Sequence, residues 1–217
     1  MIVDKRYTDY INSLTSYLPP ELEMLYADCV RDRVPVIRRE TQALLRFLLT
    51  EKRPHHVLEV GTAIGFSALF MSRYLPEDAR ITTIEKYEKR IPVALGNFER
   101  FGEQKRITLL QGDAAQLLKE LPIEAFELVF MDAAKGQYIH FLPEVKRILA
   151  PGGMLISDNA LQEGQIIESR FAVTRRNRTI HERMREYLRA LTHDGELTTT
   201  ILTVGDGVAL SIKMRGE

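Results

Sequence analysis

Apolar residues in the first fifty positions recur every three or four residues, the spacing that lines one face of a helix. Tyr7, Ile11, Leu14 and Leu18 form one such face, Leu22, Leu25 and Cys29 with Val30 a second, and Leu44, Leu45, Leu48 and Leu49 a third. Prolines divide them, in "YLPPE" at 17–21 and "RVPV" at 33–36, because proline ends a helix or opens a new one. From His56 onward the rhythm changes to short apolar runs separated by amphipathic segments. The expected strands are "HVLEV" at 56–60, "RITTIE" at 80–85, "RITLLQ" at 106–111, "FELVFM" at 126–131 and "GMLIS" at 153–157. Strands alternating with helices predict a parallel sheet covered on both faces, a doubly wound α/β fold. The end of the chain breaks the alternation: "TTTILTV", "GDG" and "VALSIKM" read as an antiparallel hairpin that turns on Gly205 and Gly207.

Five parallel strands closed by such a hairpin suit a Rossmann-like methyltransferase sheet better than the purely parallel sheet of a dehydrogenase. At 217 residues, 45% hydrophobic and 28% charged, the chain is expected to be one domain, 1–217, with a helical extension at 1–53 before a core at 54–217. Thirty basic and thirty acidic residues cancel, so nucleic-acid binding has to be argued from a local patch. Cys29 is the only cysteine, which excludes an internal disulfide and a multi-cysteine metal cluster and fits a reducing compartment. The opening "MIVDKRYTDY" is charged and amphipathic, and no apolar run reaches the roughly 18 residues of a membrane helix. A cytoplasmic protein without a membrane partner is expected.

"VLEVGTAIGFSAL" at 57–69 is an apolar strand, a glycine-bearing loop and a helix start. In doubly wound sheets this turn lies where ligands bind, and glycine allows close backbone approach. The spacing Gly61-x-x-x-Gly65 lacks the middle glycine of the dinucleotide fingerprint, which disfavours a nicotinamide enzyme. Glu59 suits a cationic or hydroxylated ligand, Glu85 at the end of the second strand suits the hydroxyls of a ribose, and Asp113 in "QGDAAQ" suits an adenine amino group. Each has an ordinary alternative: a tight turn for the glycines, a solvated strand end for Glu85, a helix cap for Asp113. Three acids at successive strand ends beside a glycine loop favour a bound adenosine.

Two further strand ends are unusual. "FELVFMDAAKGQY" places Asp132 and Lys135 at the mouth of a buried strand, and "LISDNAL" places Asp158 and Asn159 at the next. Two carboxylates and an amide oxygen on one rim make a hard-ligand set suited to Mg²⁺. Read singly, these residues are turn or cap formers, and Lys135 a solvated lysine.

"LEVGTAIGFSAL", "IEKYEKR", "GDAAQLL", "MDAAKGQY", "ISDNAL" and "VGDGVALS" together resemble the class I, cation-dependent O-methyltransferases that include the catechol and caffeoyl-CoA enzymes. Within that family, "DAAKGQY", the arginine-rich stretch near 175 and "VGDG" resemble the bacterial tRNA 5-hydroxyuridine methyltransferases. The resemblance spans nearly the whole chain. It implies S-adenosylmethionine touched by Glu59, Gly61, Ser67, Glu85, Asp113, Ala114 and Asp132. It also implies a divalent cation, Mg²⁺ or another, on Asp132, Asp158 and Asn159, with Lys135 as the catalytic lysine and Asp132 beside it. A cation on two adjacent substrate oxygens lowers the hydroxyl pKa and fixes its direction, and Lys135 is placed to take the proton. Where the family carries a second acid, this chain has Ala134. Relatives pair as dimers, so a homodimer is implied.

The metal site calls for vicinal oxygens, which a catechol and 5-hydroxyuridine both have. Residues 168–189 hold seven arginines against three glutamates. Thr179 with Glu182 reads as a capping box, and Ile180, Met184, Tyr187, Leu188 and Leu191 as an apolar core stripe. Arg175, Arg176 and Arg178 then lie on a loop before the helix, placed to hold phosphates or stack on unpaired bases of a tRNA anticodon loop. A solvated basic face is the plainer alternative. The leading expectation is methylation of tRNA wobble 5-hydroxyuridine to 5-methoxyuridine, with catechol-like or caffeoyl-CoA-like small molecules second. A non-catalytic RNA-binding module that keeps the fold is a reading from another class, opposed by the intact set Asp132, Lys135, Asp158 and Asn159.

Overall fold

The structure, a computed structural model, describes residues 3–15 and 18–216. Met1 and Ile2 of the opening segment, Tyr17 at the head of the first proline break, Ser16 and Glu217 lie outside the described residues. Seven strands, β1 (His56–Val60), β2 (Arg80–Glu85), β3 (Ile107–Gln111), β4 (Phe126–Met131), β5 (Leu149–Ser157), β6 (Leu197–Leu202) and β7 (Val208–Lys213), form one sheet in the order β3-β2-β1-β4-β5-β7-β6. β1 to β5 are mutually parallel, and β7 runs antiparallel between β5 and β6. The doubly wound sheet and its terminal hairpin therefore form as the pattern predicts. β5 starts four positions before the expected Gly153, and its register with β4 shifts between Phe126 and Leu128.

The apolar runs are continuous because both sheet faces are covered. Along β4, Leu128 and Phe130 enter one core while Val129 and Met131 enter the other, the period of two expected of a strand. On the first face, α2 (Pro20–Arg31) and α3 (Arg39–Lys52) supply Leu22, Leu25, Cys29, Leu45 and Leu49 to the core shared with α4 (Phe66–Ser72) and α5 (Ile91–Arg100). α2 and α3 thus share the core of the sheet. The opposite face is packed by α6 (Ala114–Glu120), α7 (Tyr138–Ile148) and α8 (Arg178–Thr192).

Two local expectations are corrected. Tyr7, Ile11 and Leu14 of α1 (Lys5–Leu14) are exposed, and the helix buries no side chain. Its link to the rest includes Asn12 Nδ2 donating to Glu40 Oε1 of α3 at 2.9 Å. Thr179 does not cap α8: the helix begins one residue earlier, after a 3-10 turn at Arg175–Asn177, and Asn177 makes no side-chain cap. Ile180 leaves the predicted stripe and stands exposed, while His181 joins Met184, Tyr187 and Leu191 inside.

Candidate active site

The order of strands reverses beside β1, so β1 and β4 open a crevice at their carboxyl ends, where ligands bind in such folds. The loop after β1 enters it through Gly61, φ +107°, where a Cβ would collide with the Asp132 carbonyl leaving β4. Gly65, φ +88°, lets α4 start against the Phe98 ring of α5. Both glycines serve backbone approach within the protein, and Gly61 also faces the crevice.

The crevice is a cavity of about 430 Å³, within the size of small-molecule sites. Gly61, Ser67, Glu85, Asp113, Ala114 and Asp132 all line it. The Glu85 carboxylate accepts from the backbone N–H of Ala63 and Tyr87, both at 2.8 Å, stapling the first loop to the second. Asp113 caps α6 by accepting from Ala115 N at 2.9 Å, so its cap role is realised while it faces the cavity.

Glu59 is placed differently from the expectation. It is fully buried, outside the cavity lining, with one oxygen accepting from the Thr83 hydroxyl and Oε1 without a partner. Burial foremost pushes its carboxyl up to about 7. An orphaned buried acceptor behind a glycine loop is a feature a cationic donor would satisfy.

The second feature follows from register. Met131 of β4 pairs with Ser157 of β5, so Asp132 and Asp158 leave adjacent strands side by side, joined by Asp158 N donating to the Met131 carbonyl at 3.0 Å. Lys135, opening a 3-10 turn at Lys135–Gln137, places Nζ 2.7 Å from Asn159 Oδ1 and 3.5 Å from Asp132 Oδ1. The four expected residues are therefore together. Burial, and then the neighbouring Asp132 charge, push Asp158 upward. Two carboxylates crowded with one ammonium and an amide oxygen suit a divalent cation in charge and in ligand hardness. Among the described residues no three His, Cys, Asp or Glu side chains gather as a metal cluster; the donor set here is two acids and an amide.

Three supports were missed in the sequence. The buried Tyr138 hydroxyl donates toward the Met131 and Asp158 carbonyls at 2.9 and 3.3 Å, pinning the two strand ends. Its ring meets Tyr187 edge-on at 5.4 Å, and the Tyr187 hydroxyl bonds Ser157. The third is the β6–β7 turn. Asp206 Oδ1 accepts from Glu163 N, the Asp206 carbonyl from Leu161 N and the Gly207 carbonyl from Ala160 N. That turn holds a segment in which Asn159, Gln162 and Glu163 all have φ between 50° and 55°. "GQY" and "VGDG" were the visible signals.

A second, open cleft of about 800 Å³ adjoins the first cavity, and the two share Asp132, Ala133, Ala134 and Lys135 as a common wall. Its far side carries Asn177, Ile180 and Arg183, whose guanidinium donates to the Gly136 carbonyl at 3.1 Å. Arg175, Arg176 and Arg178 do not line it; Arg175 and Arg176 stand exposed on the adjoining 3-10 turn, and Arg178 donates to the Val173 carbonyl at 3.3 Å.

The chain is similar to known proteins over most of its length. A catechol O-methyltransferase of Mycobacterium tuberculosis is 33% identical over 161 residues, covering 72% of this chain and 70% of its own. The tapetum-specific methyltransferase 1 of Arabidopsis thaliana is 27% identical over 93% of this chain and 90% of its own. A crystal structure from Staphylococcus aureus, 27% identical, superposes with a TM-score of 0.85 over 96% of this chain and 98% of the other. The O-methyltransferase family model matches residues 13–214, so that strand order, glycine loop and acid rim all fall inside the match. The chain belongs to the O-methyltransferase family.

Proposed function

We propose that the protein transfers the methyl group of S-adenosylmethionine to a hydroxyl flanked by a second oxygen, with Mg²⁺ or another divalent cation on Asp132, Asp158 and Asn159. The observation that carries this reading is the shared wall: Asp132 and Lys135 face both the cavity and the open cleft. A donor in one and an acceptor in the other would meet at these two side chains. The Glu85 and Asp113 carboxylates on the cavity wall fit the ribose and adenine of such a ligand, while Glu59, with its orphaned Oε1, lies buried behind that wall. When bound, the sulfonium supplies an electrophilic methyl and the cation polarises the acceptor oxygen. The chain's own part is alignment and proton transfer. Lys135 Nζ, held at the rim by Asn159, would shed a proton to solvent beside the like-charged cation and, as the neutral amine, receive the acceptor's hydroxyl proton as the new carbon–oxygen bond forms.

For the acceptor we propose 5-hydroxyuridine at the tRNA wobble position. The support is the open shape of the cleft, Arg183 and Arg38 on its walls, the latter paired with Glu163, and the neighbouring Arg175 and Arg176, which meet no carboxylate among the described residues. A catechol-like acceptor is the second reading, favoured by the mycobacterial relative. The uncovered apolar face of α1 supports pairing of two copies. Asp158→Ala tests the catalytic reading: methylation of tRNA should be lost while tRNA affinity, measured by filter binding, persists. Retained methylation would refute the acid rim as the site of chemistry.

A further inference from the structure

Among the described residues the two most exposed large apolar side chains lie on one short arm beside the cleft: Phe171 at 84% and Ile167 at 82%. The arm is built to hold them out. Ala172 N donates to the Ser169 carbonyl at 3.0 Å, a turn with Arg170 and Phe171 at its corners. Ile166 and Val173 are buried at either side. The Arg185 guanidinium donates to the Ile166 carbonyl at 3.2 Å, and Arg178 to that of Val173 at 3.3 Å. Arg170 is tied to Glu182 at 2.7 Å. The preceding residues Gln162, Glu163 and Gln165 wall the acceptor cleft, and Arg175 and Arg176 follow. Along the chain, the arm thus carries an exposed aromatic side chain between residues that wall the cleft and two arginines that meet no carboxylate among the described residues.

We propose that Phe171 is a stacking platform for an unpaired base of the RNA substrate, with Arg175 and Arg176 on the adjoining phosphates; this rests on the tRNA reading given above. Single-stranded RNA is bound by this combination, because every base offers a π face and every linkage a charge. Continuity with the cleft ties the platform to the nucleotides flanking the one that is methylated. A lipid or protein contact would use the same apolar area without needing an aromatic ring, and that difference is testable.

The experiment is steady-state methylation of an anticodon stem-loop containing 5-hydroxyuridine, in parallel with the free 5-hydroxyuridine nucleoside, by Phe171→Ala, Phe171→Leu and Phe171→Tyr. Ala and Leu are expected to raise KM for the stem-loop roughly ten- to hundredfold. Tyr should keep the wild-type KM, and the nucleoside kcat/KM should not change in any variant. An unchanged stem-loop KM in Phe171→Ala, rescue by Leu as good as by Tyr, or equal losses on both acceptors would overturn the platform. If the wild-type protein methylates a catechol and not the stem-loop, the tRNA reading falls and the platform with it. Wild-type activity on the stem-loop with an indifferent Phe171→Ala removes the platform alone.

Discussion

Glu59 shows how a single buried acid links the site to the stability of the chain. Its carboxyl is raised from 4.5 to about 7 by burial, so between those values the folded chain keeps a proton that the unfolded chain has released. Stability therefore falls as pH rises through that window, by roughly 3 kcal/mol once pH exceeds 7. Asp158 is shifted in the same direction and adds to the slope. Glu59→Gln removes one contribution, so urea unfolding at pH 5 and pH 8 should show a smaller loss in the variant than in the wild type; equal losses would contradict it. At Lys135 the expected effect is on rate. Lys135→Ala should lower kcat by about 10²- to 10⁴-fold, the usual worth of a positioned base, while calorimetry finds S-adenosylmethionine affinity little changed. The proximity of Asp132, Lys135, Asp158 and Asn159 was legible in the sequence because they follow the apolar runs of two neighbouring strands. The burial of Glu59 was not, since a strand pattern does not tell which side of a loop an acid will take.

At the scale of elements, the site depends on pieces that never touch a ligand. Tyr138 joins the ends of β4 and β5 through two carbonyls. Tyr138→Phe should cost about 1 kcal/mol and lower kcat, without moving the affinity for S-adenosylmethionine; a variant with wild-type stability and rate would show that the pin is idle. The β6–β7 turn holds the left-handed segment after β5, and a Cβ at Gly207, φ +82°, would collide with Leu161. Gly207→Ala should destabilise the chain by roughly 1–3 kcal/mol, read from thermal unfolding. Strand positions were legible to within a few residues because both sheet faces are buried. The capping box at Thr179 misled because Ile180 turns toward the cleft and His181 takes the inward place, a choice made by packing on α7 and the sheet.

The whole molecule is a sheet with two apolar faces, the helices that cover them and a rim where the covering stops. At that rim a crevice and a more open cleft meet at Asp132 and Lys135. The parallel order was predictable from alternation alone, but the junction of the two spaces appears only in three dimensions, since Pro35 and Val36 reach it from a distant part of the chain. The most direct measurement is methyl transfer from labelled S-adenosylmethionine, in Mg²⁺ and then in EDTA, to tRNA carrying 5-hydroxyuridine and to a simple catechol. Mg²⁺-dependent labelling of the tRNA, abolished by EDTA and much stronger than that of the catechol, is the result predicted here. Labelling that survives EDTA would contradict the cation at the acid rim, and labelling of the catechol alone would contradict the RNA acceptor.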